Sequence, residues 1–190
     1  MDHKIKTMKP AAKALMKKAR PTKATKATKA AKITKTTKTT NQRDNATRPR
    51  TDMVLAMNDP YMQEIIDGTK TYEFRKYNMA GVERIWFYRT SPHSAITHVC
   101  EVDEAANRNP GDAPLPEDGV GNKEYNDRHA DWDGYDYAYR IRSVHEIDNG
   151  GITWAMMRDV HSFEIAPRGR VMLPQSIATQ YEWAAQTKIR

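Results

Sequence analysis

The sequence has little cysteine and no long apolar run, and both absences narrow the class of protein. Its single cysteine, Cys100, cannot form an internal disulfide, and one thiol is too few for a cysteine-ligated zinc site. No run of ~18 apolar residues is present, so we expect no membrane-spanning helix. The charged residues Asp2 and Lys4 have no apolar stretch behind them, which is unlike a secretory signal. We therefore expect an intracellular protein without a membrane partner.

Residues 1–50 lack aromatic residues, whereas all the Trp, Tyr and Phe residues follow Arg50. This first segment holds 16 Lys and Arg against 2 acidic residues, a net charge of +14. Residues 51–190 hold 15 basic and 22 acidic residues, a net charge of −7. The overall charge of +7 therefore combines two parts of opposite sign. We predict a disordered Lys/Thr/Ala-rich tail over 1–50 and one globular domain over 51–190.

Lysine recurs at every third position in the middle of the basic segment, at Lys23, Lys26, Lys29, Lys32, Lys35 and Lys38. The intervening Thr and Ala residues cannot bury enough apolar surface to repay the entropy of ordering. Spaced lysines neutralise phosphates and release counterions, which gives salt-sensitive affinity for DNA or RNA. The pattern resembles linker-histone tails. The alternative is a solubilising or targeting tail, since residues 17–20 fit a nuclear-import signal. We expect the nucleus in a eukaryote, and otherwise the cytoplasm or nucleoid.

The patterns after Arg50 predict five or six strands and two helices. The Asn58-Asp59-Pro60 sequence is typical of a helix start, and Gly68 of its end. A second helix is predicted over 175–186, after Pro174. Strands are predicted over 53–57, 71–76, 84–90, 95–102, 137–147 and 160–165, with acidic loops over 103–136. Strands that mostly follow one another favour a small α+β barrel over a parallel sheet with crossovers.

A dense set of charged residues, Lys70, Glu73 and Arg75, follows the first predicted helix. Alternation along the predicted strand places Glu73 and Arg75 on one face, opposite Tyr72 and Phe74. An ammonium, a carboxylate and a guanidinium held together can bind an anion or orient a base edge. The alternative is an ion-pair ladder on a half-exposed strand, which has little energetic value.

Segment 68–75 resembles the ASCH family of the PUA-like superfamily, whose signature is Gly-x-Lys-x-x-Glu-x-Arg after a helix. Three further segments resemble landmarks of one ASCH branch in the same order: 59–61 (Asp-Pro-Tyr), 88–92 (Tyr-x-Thr-Ser-Pro) and 174–176 (Pro-Gln-Ser). The resemblance implies a PUA-like β-barrel with flanking helices and a cleft beside the first helix. Such clefts are thought to accommodate RNA or a modified nucleotide.

The resemblance also implies roles for individual residues of this cleft. Lys70 and Arg75 would contact a phosphate or a base carbonyl. Glu73 would accept a hydrogen bond from an exocyclic amine or hold Lys70. Thr90 and Ser91, at the end of a neighbouring strand, would supply hydroxyl groups.

These observations leave three functions open. The first is recognition of RNA or a modified nucleotide, assisted by a non-specific basic tail, with RNA favoured and DNA possible through the tail. The second is an enzyme acting on RNA or a modified nucleoside, with Lys70, Glu73 and Tyr88 as catalytic candidates. We lean against it because ASCH amidohydrolases have a threonine where this chain has Glu73. The third is a chromatin or nucleoid protein whose domain contacts other proteins. We expect no cofactor or metal and assume a monomer.

Overall fold

The structure, a computed structural model, describes residues 51–190. Nine strands form one mixed sheet that curls into a half-barrel. They are β1 (Asp52–Met57), β2 (Tyr72–Arg75), β3 (Arg84–Arg89), β4 (Ala95–Val102), β5 (Ala106–Asn107), β6 (Tyr137–Glu146), β7 (Ile152–Thr153), β8 (Arg170–Met172) and β9 (Thr187–Lys188). Flanking helices are α1 (Tyr61–Asp67), α2 (Asn122–Asn126), α3 (Trp154–Asp159) and α4 (Gln175–Gln180). The predicted α+β class with a small barrel-like sheet is confirmed.

The order of the main strands is β2-β6-β4-β3-β1-β8. β3 and β4 form an antiparallel hairpin, but most neighbours in the sheet are distant in sequence. β1 and β3 run parallel, with Val54 opposite Trp86. A parallel pair needs a crossover connection, and α1 and β2 form it here. The prediction of mostly sequential strands is therefore wrong. One consequence is that the loops after β1 and β3 meet at the same end of the sheet.

Two hydrophobic cores cover the two faces of the sheet. Along β3, Ile85 and Phe87 belong to the first core, whereas Trp86 and Tyr88 belong to the second. The first core also contains Met62 and Ile65 of α1, and the second contains Met157 of α3 and Ile177 of α4. The strands are hydrophobic on both faces because both faces are covered.

The strand predicted over 160–165 is wrong, since helix α3 (Trp154–Asp159) ends just before it and the segment forms no strand. Thr153 caps α3 by accepting a hydrogen bond from the Met156 backbone N–H at 3.3 Å. Met157 is fully buried, whereas Val160 is 59% and Ile165 is 71% exposed. The segment instead turns at Val160 and His161, and Ser162, with a φ of 59°, interrupts extended backbone. His161 and Phe163 are buried between exposed neighbours, an alternation that a strand also shows.

The final predicted helix, 175–186, is also shorter than expected. Helix α4 ends at Gln180, because Tyr181 has the extended backbone angles φ −118° and ψ 87°. A 3₁₀ turn (Trp183–Ala185) and strand β9 follow, and β9 pairs with β6. No helix within residues 51–190 is long and apolar enough to cross a bilayer.

Candidate functional site

The charged residues of segment 68–75 are positioned by the tight exit from α1. Gly68 ends the helix with φ +80°, and its N–H donates to the Ile65 carbonyl at 3.2 Å. The Lys70 backbone N–H then donates to the Glu64 carbonyl at 2.9 Å. This turn leads directly into β2, so the charged side chains are held by two rigid elements.

Glu73 is the centre of a buried ion cluster. Its carboxylate Oε1 lies 2.6 Å from Arg75 Nη2, and its Oε2 lies 3.3 Å from Lys70 Nζ. The second contact is an ion pair by distance but not an aligned hydrogen bond, which leaves Oε2 without a hydrogen-bond partner. Lys70 Nζ instead donates to the Tyr72 carbonyl and lies 4.9 Å from the centre of the Phe74 ring. One carboxylate therefore holds two cations, and the cluster keeps a net charge of +1.

Burial differs across the ion cluster. Glu73 is 3% and Lys70 8% exposed, whereas the Arg75 side chain keeps 21% of its surface in solvent. The structure thus brings together the three residues predicted as a site, and it makes Arg75 the member with the most accessible side chain. The opposite face of β2 carries Tyr72 and Phe74 in an aromatic cluster, as the alternation predicted.

Arg190 and Cys100 extend this polar region in a way that the sequence did not indicate. Arg190 Nη2 donates to the Ile65 carbonyl at 2.9 Å, and its Nη1 packs where a side chain at Gly68 would lie. Burial raises the pKa of the Cys100 thiol well above its usual range, and the Glu73 carboxylate adds to the shift while Arg190 opposes it. The thiol therefore stays protonated and is not a nucleophile.

A second polar cluster lies where β1 and β3 end. Arg89 donates twice to Asp59, from Nε at 3.1 Å and from Nη2 at 2.7 Å, and His93 Nε2 lies 2.9 Å from the same carboxylate. Hydrogen bonds from Arg89 hold the pKa of Asp59 below its usual range. Thr90 Oγ1 donates to Asn58 Oδ1 at 2.6 Å, whereas Ser91 is exposed.

The predicted residues therefore fall into separate groups. Within residues 51–190, no hydrogen bond or ion pair links Thr90 or Ser91 to the Glu73 cluster. Tyr88 is 4% exposed and packs in the second core. The structure therefore does not place Tyr88 with Lys70 and Glu73. Lys23, Lys26, Lys29, Lys32, Lys35 and Lys38 lie outside the described residues. The same described range contains no group of three or more potential metal ligands.

Basic side chains of the described domain are largely paired with acids. Eight of its 15 Lys and Arg residues form ion pairs: Lys70, Arg75, Arg84, Arg89, Lys123, Arg140, Arg142 and Arg158. With a net charge of −7, the domain presents its basic groups as local sites and not as a broad basic face.

We expect the buried His98 of β4 to make the stability of the domain depend on pH. Burial, together with the charge of Arg89, lowers the pKa of His98 from 6.5 to about 4. As the pH falls, His98 is protonated near pH 6.5 in the unfolded chain and only near pH 4 in the folded domain. The contribution of neutral His98 to the free energy of unfolding is therefore present above pH 6.5 and is lost between pH 6.5 and 4. We expect a loss of about 3 kcal/mol over this window, measured by urea unfolding. His98→Gln should flatten the profile, and the exposed control His129→Gln should not; equal profiles for both variants would contradict the assignment.

Comparisons with known proteins identify the fold. No protein-family model and no curated protein sequence matches the chain. The crystal structure of ASCH from Zymomonas mobilis superposes with a TM-score of 0.50 at 20% identity, covering 73% of this chain and 97% of that one. Two mutant structures of the same protein have TM-scores of 0.49 at 17% and 18% identity, covering 72–73% of this chain and 98–99% of theirs.

The described domain thus has the fold of an ASCH domain, as the resemblance of segment 68–75 implies. All three of these structures are of the Zymomonas mobilis ASCH protein. At 17–20% identity, the similarity extends to the fold alone. The roles of the individual motif residues and of the lysine-rich segment stay predictions.

Proposed function

We propose that the protein binds nucleic acid, with RNA favoured, and that its two parts contribute differently. The observation that carries the proposal is the separation of charge, +14 over residues 1–50 against −7 over residues 51–190. Six lysines at a spacing of three residues supply sequence-independent attraction to phosphates. The acidic domain adds no general attraction, so any contribution from it depends on local contacts.

Arg75 is the residue of the Glu73 cluster best suited to such a contact. Glu73 holds one edge of its guanidinium through Nη2, and the side chain is one-fifth exposed. A guanidinium fixed in this way loses little entropy when it binds a phosphate or a base carbonyl. RNA is favoured over DNA because the ASCH fold is PUA-like and RNA-associated. Tethering this weak local site to a lysine-rich segment raises its effective concentration near the polymer.

The geometry does not favour the enzymatic alternative. Lys70 Nζ is held between the Tyr72 carbonyl and the Glu73 carboxylate, which restrains it from reaching a substrate. Tyr88 packs in the second core, and within residues 51–190 no hydrogen bond links it to Lys70 or Glu73.

The test is binding of labelled RNA and DNA oligonucleotides to the full chain over a range of salt concentrations. We replace the six lysines (23, 26, 29, 32, 35 and 38) by glutamine. Each lost contact with a single-strand phosphate should make the slope of log affinity against log salt shallower by ~0.7, so the six together should reduce its magnitude by up to about 4. The affinity at physiological salt should fall at least about tenfold.

Arg75→Gln in that background should weaken the remaining RNA binding further, whereas Arg142→Gln, at an exposed surface pair, should not. Absence of RNA and DNA binding by the wild type would refute the proposal. Equal effects of the two arginine variants would show that the domain does not bind RNA through Arg75. Turnover of RNA that is lost in Lys70→Ala would favour the enzyme instead.

A further inference from the structure

A concave site among the described residues lies away from the Glu73 cluster. It is a cavity of about 460 Å³, within the range of small-molecule sites. The segment 107–114 forms one wall, and Tyr125, Asn126 and Arg128, at the end of α2 and just after it, form the other. Lys70, Glu73 and Arg75 do not line it.

Two arginines of this cavity differ from most arginines of the domain. Residues 101–136 contain 11 acids and only three bases: Arg108, Lys123 and Arg128. Lys123 pairs with Asp127 at 2.7 Å. Arg108 and Arg128 both line the cavity, and neither forms an ion pair with a carboxylate of residues 51–190. Two of the three bases of an acidic segment thus converge on one cavity.

Arg108 is held rigidly at the cavity wall. Its guanidinium carbon lies 5.3 Å from the centre of the Tyr125 ring, and its Nη1 donates to the Trp132 carbonyl at 3.2 Å. Its Nε is buried and has no hydrogen-bond partner among residues 51–190. These contacts fix the plane of the guanidinium and leave donors on Nη2 uncommitted.

Arg128, on the other wall of the cavity, is hydrogen-bonded to the wall that carries Arg108. Its Nη2 donates to the Arg108 backbone carbonyl at 2.7 Å, and its backbone has a positive φ of 52°. Two arginines without an ion pair among residues 51–190 therefore line one cavity, and an anion bound there would gain from both charges. Asp112 is the one carboxylate on the cavity wall, and its Oδ2 accepts the Asn109 backbone N–H at 3.0 Å. The wall keeps a net charge of +1.

The remaining lining groups indicate what accompanies the anion. Asn107 and Asn109 are exposed at the cavity, and amide side chains pair with the edges of nucleobases. The volume of about 460 Å³ exceeds what an isolated phosphate needs. We propose that Arg108 and Arg128 form a binding site for a phosphate carried by a nucleotide, whose base contacts the asparagines. The phosphate belongs either to a free nucleotide or to an RNA strand.

Calorimetry with the full chain at physiological salt tests the site. The probes are AMP, UMP, uridine, inorganic phosphate and a short oligouridylate. We expect saturable binding of a mononucleotide, with uridine and phosphate each at least about tenfold weaker. Arg108→Gln and Arg128→Asn should each weaken binding about tenfold. Asn suits the positive φ of residue 128. The matched control is Arg168→Gln, an exposed arginine that does not line the cavity.

Each outcome decides the proposal. Mononucleotide binding that depends on both arginines supports a free nucleotide. Dependence seen only with the oligouridylate, measured in the chain without the six lysines, supports an RNA strand. Binding that is unchanged in both variants, or weakened equally by Arg168→Gln, overturns the site. If Arg108→Gln lowers the midpoint of urea unfolding, its loss of binding has a structural cause, and the binding of Arg128→Asn alone tests the site. Affinity through the lysine-rich segment is measured separately, so this site and the proposed function fail independently.

Discussion

Replacing Glu73 by glutamine is expected to destabilise the domain by about 3–5 kcal/mol, because it leaves the cations of Lys70 and Arg75 without their common carboxylate. Lys70 is 8% exposed, so water cannot replace the lost charge. Breaking one partner of a buried ion cluster is far more costly than removing the whole cluster. The measurement is urea unfolding followed by tryptophan fluorescence.

The matched control is Glu83→Gln. Glu83 also pairs with an arginine, at 3.6 Å from Arg84 Nη1, but its side chain is 63% exposed. Its loss should cost at most about 1 kcal/mol. Combining Glu73→Gln with Lys70→Met should restore part of the stability, since one unpaired charge is removed. A cost for Glu73→Gln no larger than that for Glu83→Gln would show that the ion cluster is solvated and contributes little.

Replacing Gly151 by alanine is expected to cost about 3–5 kcal/mol, through backbone strain and steric overlap together. Gly151 has φ +89°, and an added Cβ would overlap the Ile96 carbonyl oxygen and lie 3.2 Å from Thr97 Cα. Both neighbours are backbone atoms of β4, which cannot move without disturbing the hairpin. The turn at Gly151 leads to β7 and α3, so the second core is affected as well.

Gly150→Ala is the control for the second prediction. Gly150 has φ +81°, but nothing lies within 4 Å of an added Cβ. It should cost only the strain of a left-handed alanine, about 1–2 kcal/mol. The difference between the two variants, measured by urea unfolding, reports the overlap with β4 together with the greater strain of the Gly151 backbone, whose φ of 89° and ψ of −176° essentially only glycine adopts. Equal costs would mean that β4 moves to make room.

The first prediction bears on function because Glu73 orients Arg75, the residue of the domain proposed to contact RNA. Stability and RNA affinity should therefore be measured on the same variants. Arg75→Gln should change binding more than stability, since its side chain is partly solvated.

Local patterns in the sequence were enough to predict much of the domain. The start of α1 after Pro60, its end at Gly68 and the alternation of β2 depend on neighbouring residues, so a single sequence reveals them. The ion cluster was predictable for the same reason, since Lys70, Glu73 and Arg75 lie within six positions. The strand predicted at 160–165 was wrong because the segment alternates between exposed and buried residues as a strand does, whereas Ser162, with a φ of 59°, interrupts extended backbone.

Charge and local spacing determined the division of this protein into a basic segment and an acidic domain, and they determined the charged strand after α1. Tertiary structure alone decided which distant residues meet. The parallel pairing of β1 and β3 brings Asp59 to Arg89 and His93, and the packing of segment 107–114 near α2 brings Arg108 to Arg128. Such contacts depend on the path of the whole chain, because the residues that form them are 20 or more positions apart and no local pattern relates them.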